Sequence, residues 1–373
     1  MKTIRLIASM FFLFSTIITD AQEFHLLIGT YANSGKTNGL HVHRFDAATG
    51  DFKSLLPVVP ALNSSYLAIS EDKKNVYVVS EGSDSHVAAY SFNAETGEMT
   101  LQNKVPSEGP CYVSVDKQKK FVFVGNYGGG NVLSIPLRAD GSFDDTNVQK
   151  IQHEGSSVVK SRQEKPHVHS VVLSPDQKYL LVPDLGVDKV YQYNLNVKQK
   201  TALTPAAQPY TTVEPGGGPR HITFHPNGKY AYLVLELEGA VAAFDYKDGR
   251  LTHKQTVSMS PDDFKGEVSG ADIHVSPDGK FLYASNRKDA NNLAIYSIGK
   301  DGSLTVKGHQ SVLGKTPRNF ALDPTGNFLL AANQDSNDVV IFKRDKTTGL
   351  LTATGKKIQV DKPVCLKFVT IGK

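Results

Sequence analysis

Apolar residues along the chain come in short runs of about six, broken by compact polar turns, and the arrangement repeats. One unit reads as a strand, a turn of the form (Asp/Ser/His)-Pro-(Asp/Asn/Thr)-(Gly/Gln)-(Lys/Asn), and a second strand. Its clearest copies cover 171–182, 222–233, 273–284 and 320–331, with weaker ones at 67–78 and 113–124. The last apolar residue before each turn is Ile69, Val115, Leu173, Phe224, Val275 and Leu322, and a seventh such strand ends at Phe368. Successive copies therefore lie 46 to 58 residues apart. A third strand recurs seven times, at 40–45, 87–92, 132–137, 190–195, 241–246, 293–298 and 339–343. Most copies are followed by a glycine turn and a short fourth strand, as in Asp301-Gly302-Ser303-Leu304 and Thr348-Gly349-Leu350-Leu351. Glycine supplies the positive φ that such tight turns demand.

A four-stranded unit of this length has no room for crossover helices, which excludes a parallel α/β sheet. The pattern predicts an all-β fold, a seven-bladed β-propeller. The chain starts on a second-strand pattern (24–30) and a third (40–45), and ends just after a first-strand pattern (364–369). The expected closure completes one blade from both ends, one C-terminal strand with three N-terminal ones, and so removes open edges. Residues 22–373 are expected to form this one domain and to work as a monomer.

Composition narrows the chemistry. The 41 basic and 37 acidic residues nearly balance and form no stripe with aromatics, which argues against a nucleic-acid partner. Two cysteines make no disulfide framework. Cys111 and Cys365 sit in apolar strands and are expected to be free thiols. At the N-terminus Lys2 and Arg5 precede an apolar stretch over 6–18 and then Thr19-Asp20-Ala21. That layout predicts a signal peptide over 1–21 and a periplasmic or secreted protein without a transmembrane anchor.

Polar residues crowd two positions that share one face of a propeller, the entry to strand one and the exit from strand two. Entering are His167 and His169, Arg220 and His221, Asp272, and Arg318 and Asn319; leaving are Asn126 and Tyr127, Asp184, Glu236, Arg287, and Asn333 and Gln334. Ring geometry would gather them at one mouth of the central channel. For a lone histidine a bracing role between blades is the competing reading. Arg220 would serve equally as a structural guanidinium against the next blade. Glu236, between Leu235 and Leu237, needs a partner or a task, because a carboxylate at an apolar strand end is costly. Two histidines alone make no metal site, and no cofactor is expected. The Gly216-Gly217-Gly218 run lacks the Gly-Lys-Ser/Thr of a phosphate loop, and no Gly-x-Ser-x-Gly element is present.

Gly218-Pro219-Arg220-His221 with Phe224-His225-Pro226-Asn227, then Ala271-Asp272-Ile273-His274-Val275-Ser276-Pro277-Asp278-Gly279 and Asn286-Arg287, form an ordered set. Together with Pro317-Arg318-Asn319-Phe320 and Ala332-Asn333-Gln334 it resembles the seven-bladed lactonase family. That family contains the propeller-type 6-phosphogluconolactonase and is similar to the fungal enzyme that cycloisomerises carboxymuconate. The resemblance implies catalytic or substrate-binding roles for His169, Arg220, Glu236 and Arg287. It makes His221, Asp272, Arg318, Gln334 and Asn126 expected substrate-binding wall residues. The expected reaction is hydrolysis of a sugar-acid lactone, 6-phosphogluconolactone or a related aldonolactone, with Glu236 the first choice of base and His169 the second. The arginines would meet the oxyanion or a substrate anion. A cycloisomerase and a non-catalytic exported platform for a glycan or protein are the alternatives.

Overall fold

The computed structural model describes residues 22–31, 39–55 and 57–371. The expected signal segment lies outside them. Seven four-stranded antiparallel sheets are present, and the helices among the described residues are two short 3-10 turns, Asp145–Asn147 and Leu185–Val187. Numbered by inner strand, the blades begin at Ser64–Ile69, Pro110–Val115, Val172–Leu173, Pro219–Phe224, Gly270–Val275, Pro317–Leu322 and Pro363–Thr370. Blade 7 is the composite one. Its inner strand Pro363–Thr370 pairs with Glu23–Thr30, which pairs in turn with His41–Asp46 and then Phe52–Ser54. The closure is the expected one.

Two local rules turn this sequence into blades. In the turn between strands one and two, one residue adopts left-handed backbone. It is glycine in blades 4, 5 and 6, but Lys73, Lys119 and Gln177 take the same conformation in blades 1, 2 and 3. A side chain at the start of the turn fastens it whether or not that residue is glycine. Asp116 Oδ1 accepts the Phe121 amide at 2.6 Å, and Ser174 Oγ and Ser276 Oγ accept those of Tyr179 and Phe281 at 3.0 Å.

The second rule concerns the outer hairpin. Gly302 and Gly349 have φ of 81° and 76°. They also lie flat against the rings of Tyr230 and Phe281 in the preceding blade, where a Cβ would come within 2.4 and 2.3 Å of ring atoms. Two residues beyond each ring, Tyr232 and Tyr283 donate their hydroxyls to the Gly302 and Gly349 carbonyls at 3.0 and 2.7 Å. Tyr77 does the same to Gly141. Aromatic residues and turn glycines are thus two halves of one blade-to-blade contact. The second strands are covered on both faces and apolar on both, whereas the outer strands are largely exposed; one cluster joins Tyr232, Val234, Val241 and Ala243 of blade 4 to Ile273, Leu282 and Ala284 of blade 5.

The inner strands carry a third feature. Register slips occur between Ser64 and Tyr66, Pro110 and Tyr112, Pro219 and Ile222, Gly270 and Ile273, and Pro317 and Asn319. Such bulges re-aim side chains at a sheet margin. Here Cys111, Arg220, His221, Asp272 and Arg318 sit at or beside them, along the channel.

Candidate active site

One mouth of the channel opens into a cavity of about 300 Å3 lined by Glu81, Cys111, Tyr127, Arg162, His169, Glu236, Ser269, Arg287, Lys288 and Arg318. A groove of about 810 Å3 between blades 3 and 4 is larger, but no arginine or lysine lines it. In the channel cavity four cations face two carboxylates, which suits an anionic ligand or a reaction that develops negative charge.

Glu236 is the centre of the arrangement. It follows strand Tyr230–Leu235 of blade 4 and is 3% exposed. Arg162 Nη2 donates to its Oε1 at 2.7 Å, Arg220 Nε to its Oε2 at 3.0 Å, and Arg287 Nη2 stands 3.2 Å from Oε2. Burial would raise its pKa, but Arg287, Arg220 and Arg162 overcome this and hold it down at about 2. Glu236 is therefore ionised throughout the neutral range and weakly basic.

His169 lies beside it, Nε2 3.7 Å from Glu236 Oε2, with Nδ1 3.7 Å from the Cys111 sulfur. Burial first, then Arg220, His221 and Arg318, keep its pKa well below the ordinary imidazole value. The ring is neutral with a lone pair available. Cys111 is held as a thiol by burial and, like Cys365, forms no disulfide.

Arg287 is itself fixed by the Ser269 and Gly270 carbonyls and by Ser269 Oγ. Among the described residues Arg318 contacts no carboxylate directly; its Nη2 donates to Tyr31 Oη at 2.8 Å, and Tyr31 donates to Glu81 at 2.6 Å. Tyr31, Glu81 and Tyr127 follow second strands in blades 7, 1 and 2, so side chains from all seven blades meet around this space.

Of the residues expected from the sequence, His169, Glu236, Arg287 and Arg318 line the cavity. Arg220 does not line it; 2% exposed, it braces Glu236 from beneath and donates from Nη1 to the Ala271 carbonyl of blade 5 at 2.6 Å. His221 and Asp272, buried and joined at 2.8 Å, do not line the cavity either. Asn126 is fully buried, accepting from Ser107 and donating to Asn131 within blade 2. Gln334 is turned outward to Asp335. These last four do not form the wall expected of them. His167 packs on Tyr127 and pairs with Glu164, the bracing role that competes for such histidines.

Arg162, Glu81 and Tyr31 were missed. Arg162 lies between blades 2 and 3, within the longest repeat interval, the 58 residues from Val115 to Leu173. That excess was the available signal. Glu81 and Tyr31 follow second strands as Glu236 does, but without its apolar flanks.

Residues 25–368 match a family model described as lactonase, seven-bladed beta-propeller. A 6-phosphogluconolactonase of Bacillus subtilis is 36% identical over 348 residues, 92% of this chain and 97% of that one. Among solved structures, the periplasmic gluconolactonase of Pseudomonas aeruginosa is 37% identical with a TM-score of 0.89, covering 94% of this chain and 100% of its own. A Bacteroides fragilis crystal structure is 41% identical, also with a TM-score of 0.89, over 94% of this chain and 99% of that one.

Proposed function

The chain belongs to the seven-bladed β-propeller lactonase family, hydrolases of cyclic esters, and we propose that its channel cavity hydrolyses a sugar-acid lactone, with His169 rather than Glu236 as general base. The observation that carries this reading is the clustering of three guanidiniums on Glu236 beside a neutral, buried His169. A carboxylate held by three guanidiniums has its lone pairs engaged and accepts a proton poorly. The imidazole is also a weakened base, depressed by burial and the arginines, but it is neutral, and Glu236 Oε2 3.7 Å away faces the imidazolium that proton transfer creates.

Water attacks the lactone carbonyl carbon and gives a proton to His169 Nε2. Glu236 stabilises the imidazolium, and Arg287 with Arg162 faces the oxygen that becomes negative. The tetrahedral species collapses, the ring C–O bond breaks, and His169 returns the proton to the leaving alkoxide. The product is the open hydroxy acid. In this reading Arg318, whose Nη2 bonds Tyr31 rather than a carboxylate, holds a substrate anion or hydroxyl.

The substrate is an aldonolactone, phosphorylated as the Bacillus subtilis relative's name states or unphosphorylated as the Pseudomonas aeruginosa one's does. That periplasmic relative, with the N-terminal pattern of residues 1–21, supports export. Proton release from 6-phosphoglucono-1,5-lactone and glucono-1,5-lactone, above the spontaneous rate, tests the reading. Hydrolysis of either, abolished to about 1% or less in His169→Gln, is expected; no acceleration of either lactone would overturn it.

A further inference from the structure

Beneath the cavity floor, side-chain hydrogen bonds link five successive inner segments of the ring. Ser170 Oγ, at the start of blade 3, donates to the Arg220 carbonyl of blade 4 at 2.8 Å. Arg220 Nη1 meets both the Ala271 carbonyl of blade 5 and His221 Nε2, at 2.6 and 3.2 Å. His221 Nδ1 lies 2.8 Å from Asp272 Oδ1. Asp272 Oδ2 accepts from Asn319 of blade 6, and Asn319 Oδ1 accepts the Leu366 amide of blade 7 at 2.7 Å. Aromatic packing completes the circle, with Lys367 over the Tyr66 ring, Tyr66 stacked on Tyr112, and both tyrosines edge-on to His221.

The donors and acceptors in this belt have only one consistent assignment. Asp272 is surrounded by donors, since His274 Nε2 reaches Oδ2 at 2.9 Å and the Phe320 amide at 3.4 Å. It therefore stays ionised and takes the Nδ1–H of His221. The facing Arg220 nitrogen can only donate, so His221 Nε2 must carry a lone pair. The guanidinium is then held by the Ala271 carbonyl, the imidazole lone pair and Glu236 at once.

From this belt we infer that His221 and Asp272 are positioning residues, which act through Arg220 to fix the carboxylate of Glu236 beside His169. They touch no substrate. The role rests on the proposed reaction, but the hydrogen-bond assignment does not, and the two are separable by experiment.

His221→Phe fills the space and removes the acceptor, whereas His221→Gln offers one donor and one acceptor in the places of Nδ1–H and Nε2. With whichever of the two lactones is hydrolysed, the phenylalanine variant is expected to lose about tenfold or more in kcat with KM within about threefold, and glutamine to recover most of it. Melting temperatures of the two are compared to remove a purely structural effect. On the parent protein, 15N shifts of labelled histidine, assigned by difference from His221→Gln, should show Nδ1 protonated and Nε2 bare, unchanged from pH 5 to 8. This measurement stands even if neither lactone is hydrolysed or the phenylalanine variant fails to fold. A proton on Nε2, titration of the ring in that range, or equal kcat in the two variants would overturn the inference.

Discussion

Glu236 shows what one residue's surroundings decide. With three guanidiniums around it, Glu236→Gln is expected to lower kcat by about 10²-fold while KM for an anionic lactone stays level or falls, because the arginines are released to the substrate. Steady-state kinetics on that variant would check it; a raised KM with unchanged kcat would show that the carboxylate binds substrate instead. With His169 as base, kcat/KM should be flat through neutrality and fall only at pH well below the ordinary imidazole range. Glu236 was legible as functional because an acid flanked by leucines is chemically conspicuous. Its proposed role was not, because that role depends on Arg162, which arrives from the connection between blades 2 and 3, 74 residues away. The same limit hid the depth of Arg220, His221 and Asp272: position along a strand predicts which mouth of the channel a residue approaches, whereas a register slip decides how far below the surface it ends.

At the scale of the element, the hairpin glycines carry two constraints. Gly302→Ala and Gly349→Ala combine a strained positive φ with a Cβ driven into Tyr230 or Phe281. Each is expected to cost about 1–3 kcal/mol, measured by chemical denaturation, and a neutral result would mean that the ring moves aside freely. The sequence made the seven blades plain because strands, turns and spacing recur together. It showed the positive φ at these glycines, but not the ring lying on them, since that contact pairs residues about 70 positions apart. The inner strand of blade 3 was less legible. It regularises only over Val172–Leu173, with Val168 making an isolated bridge to Asp184, so His169 stands on irregular backbone. Cys111 and Cys365 lie in blades 2 and 7, which are not neighbours, and thiol titration of denatured, unreduced protein should find both free.

For the whole molecule, buried titratable groups set a direction of acid sensitivity. Burial, then Arg220, takes His221 from 6.5 to about 3, and burial with His41 takes His43 to about 4. Below pH 6.5 the unfolded chain binds protons at these sites and the native ring does not, so stability falls as pH drops. Glu236, lowered from 4.5 to about 2, adds a loss of the same sign between those values. Melting temperature is therefore expected to decline below pH 6.5 and more steeply below 4.5, and His221→Gln should flatten the first part. A melting temperature that rises on acidification would contradict the burial of these groups as neutral rings. Deleting residues 22–50 strips two strands from blade 7 and should abolish a cooperative melt. The joint between Glu23–Thr30 and Pro363–Thr370 also has a kinetic consequence. Six sheets are assembled from neighbouring stretches of chain, while the seventh pairs strands more than 300 residues apart, so its formation bears the entropy of closing one very long loop. The ring is therefore latched by contacts that no single stretch of chain can make alone, and a folding rate limited by that joint should rise when the two ends are tethered.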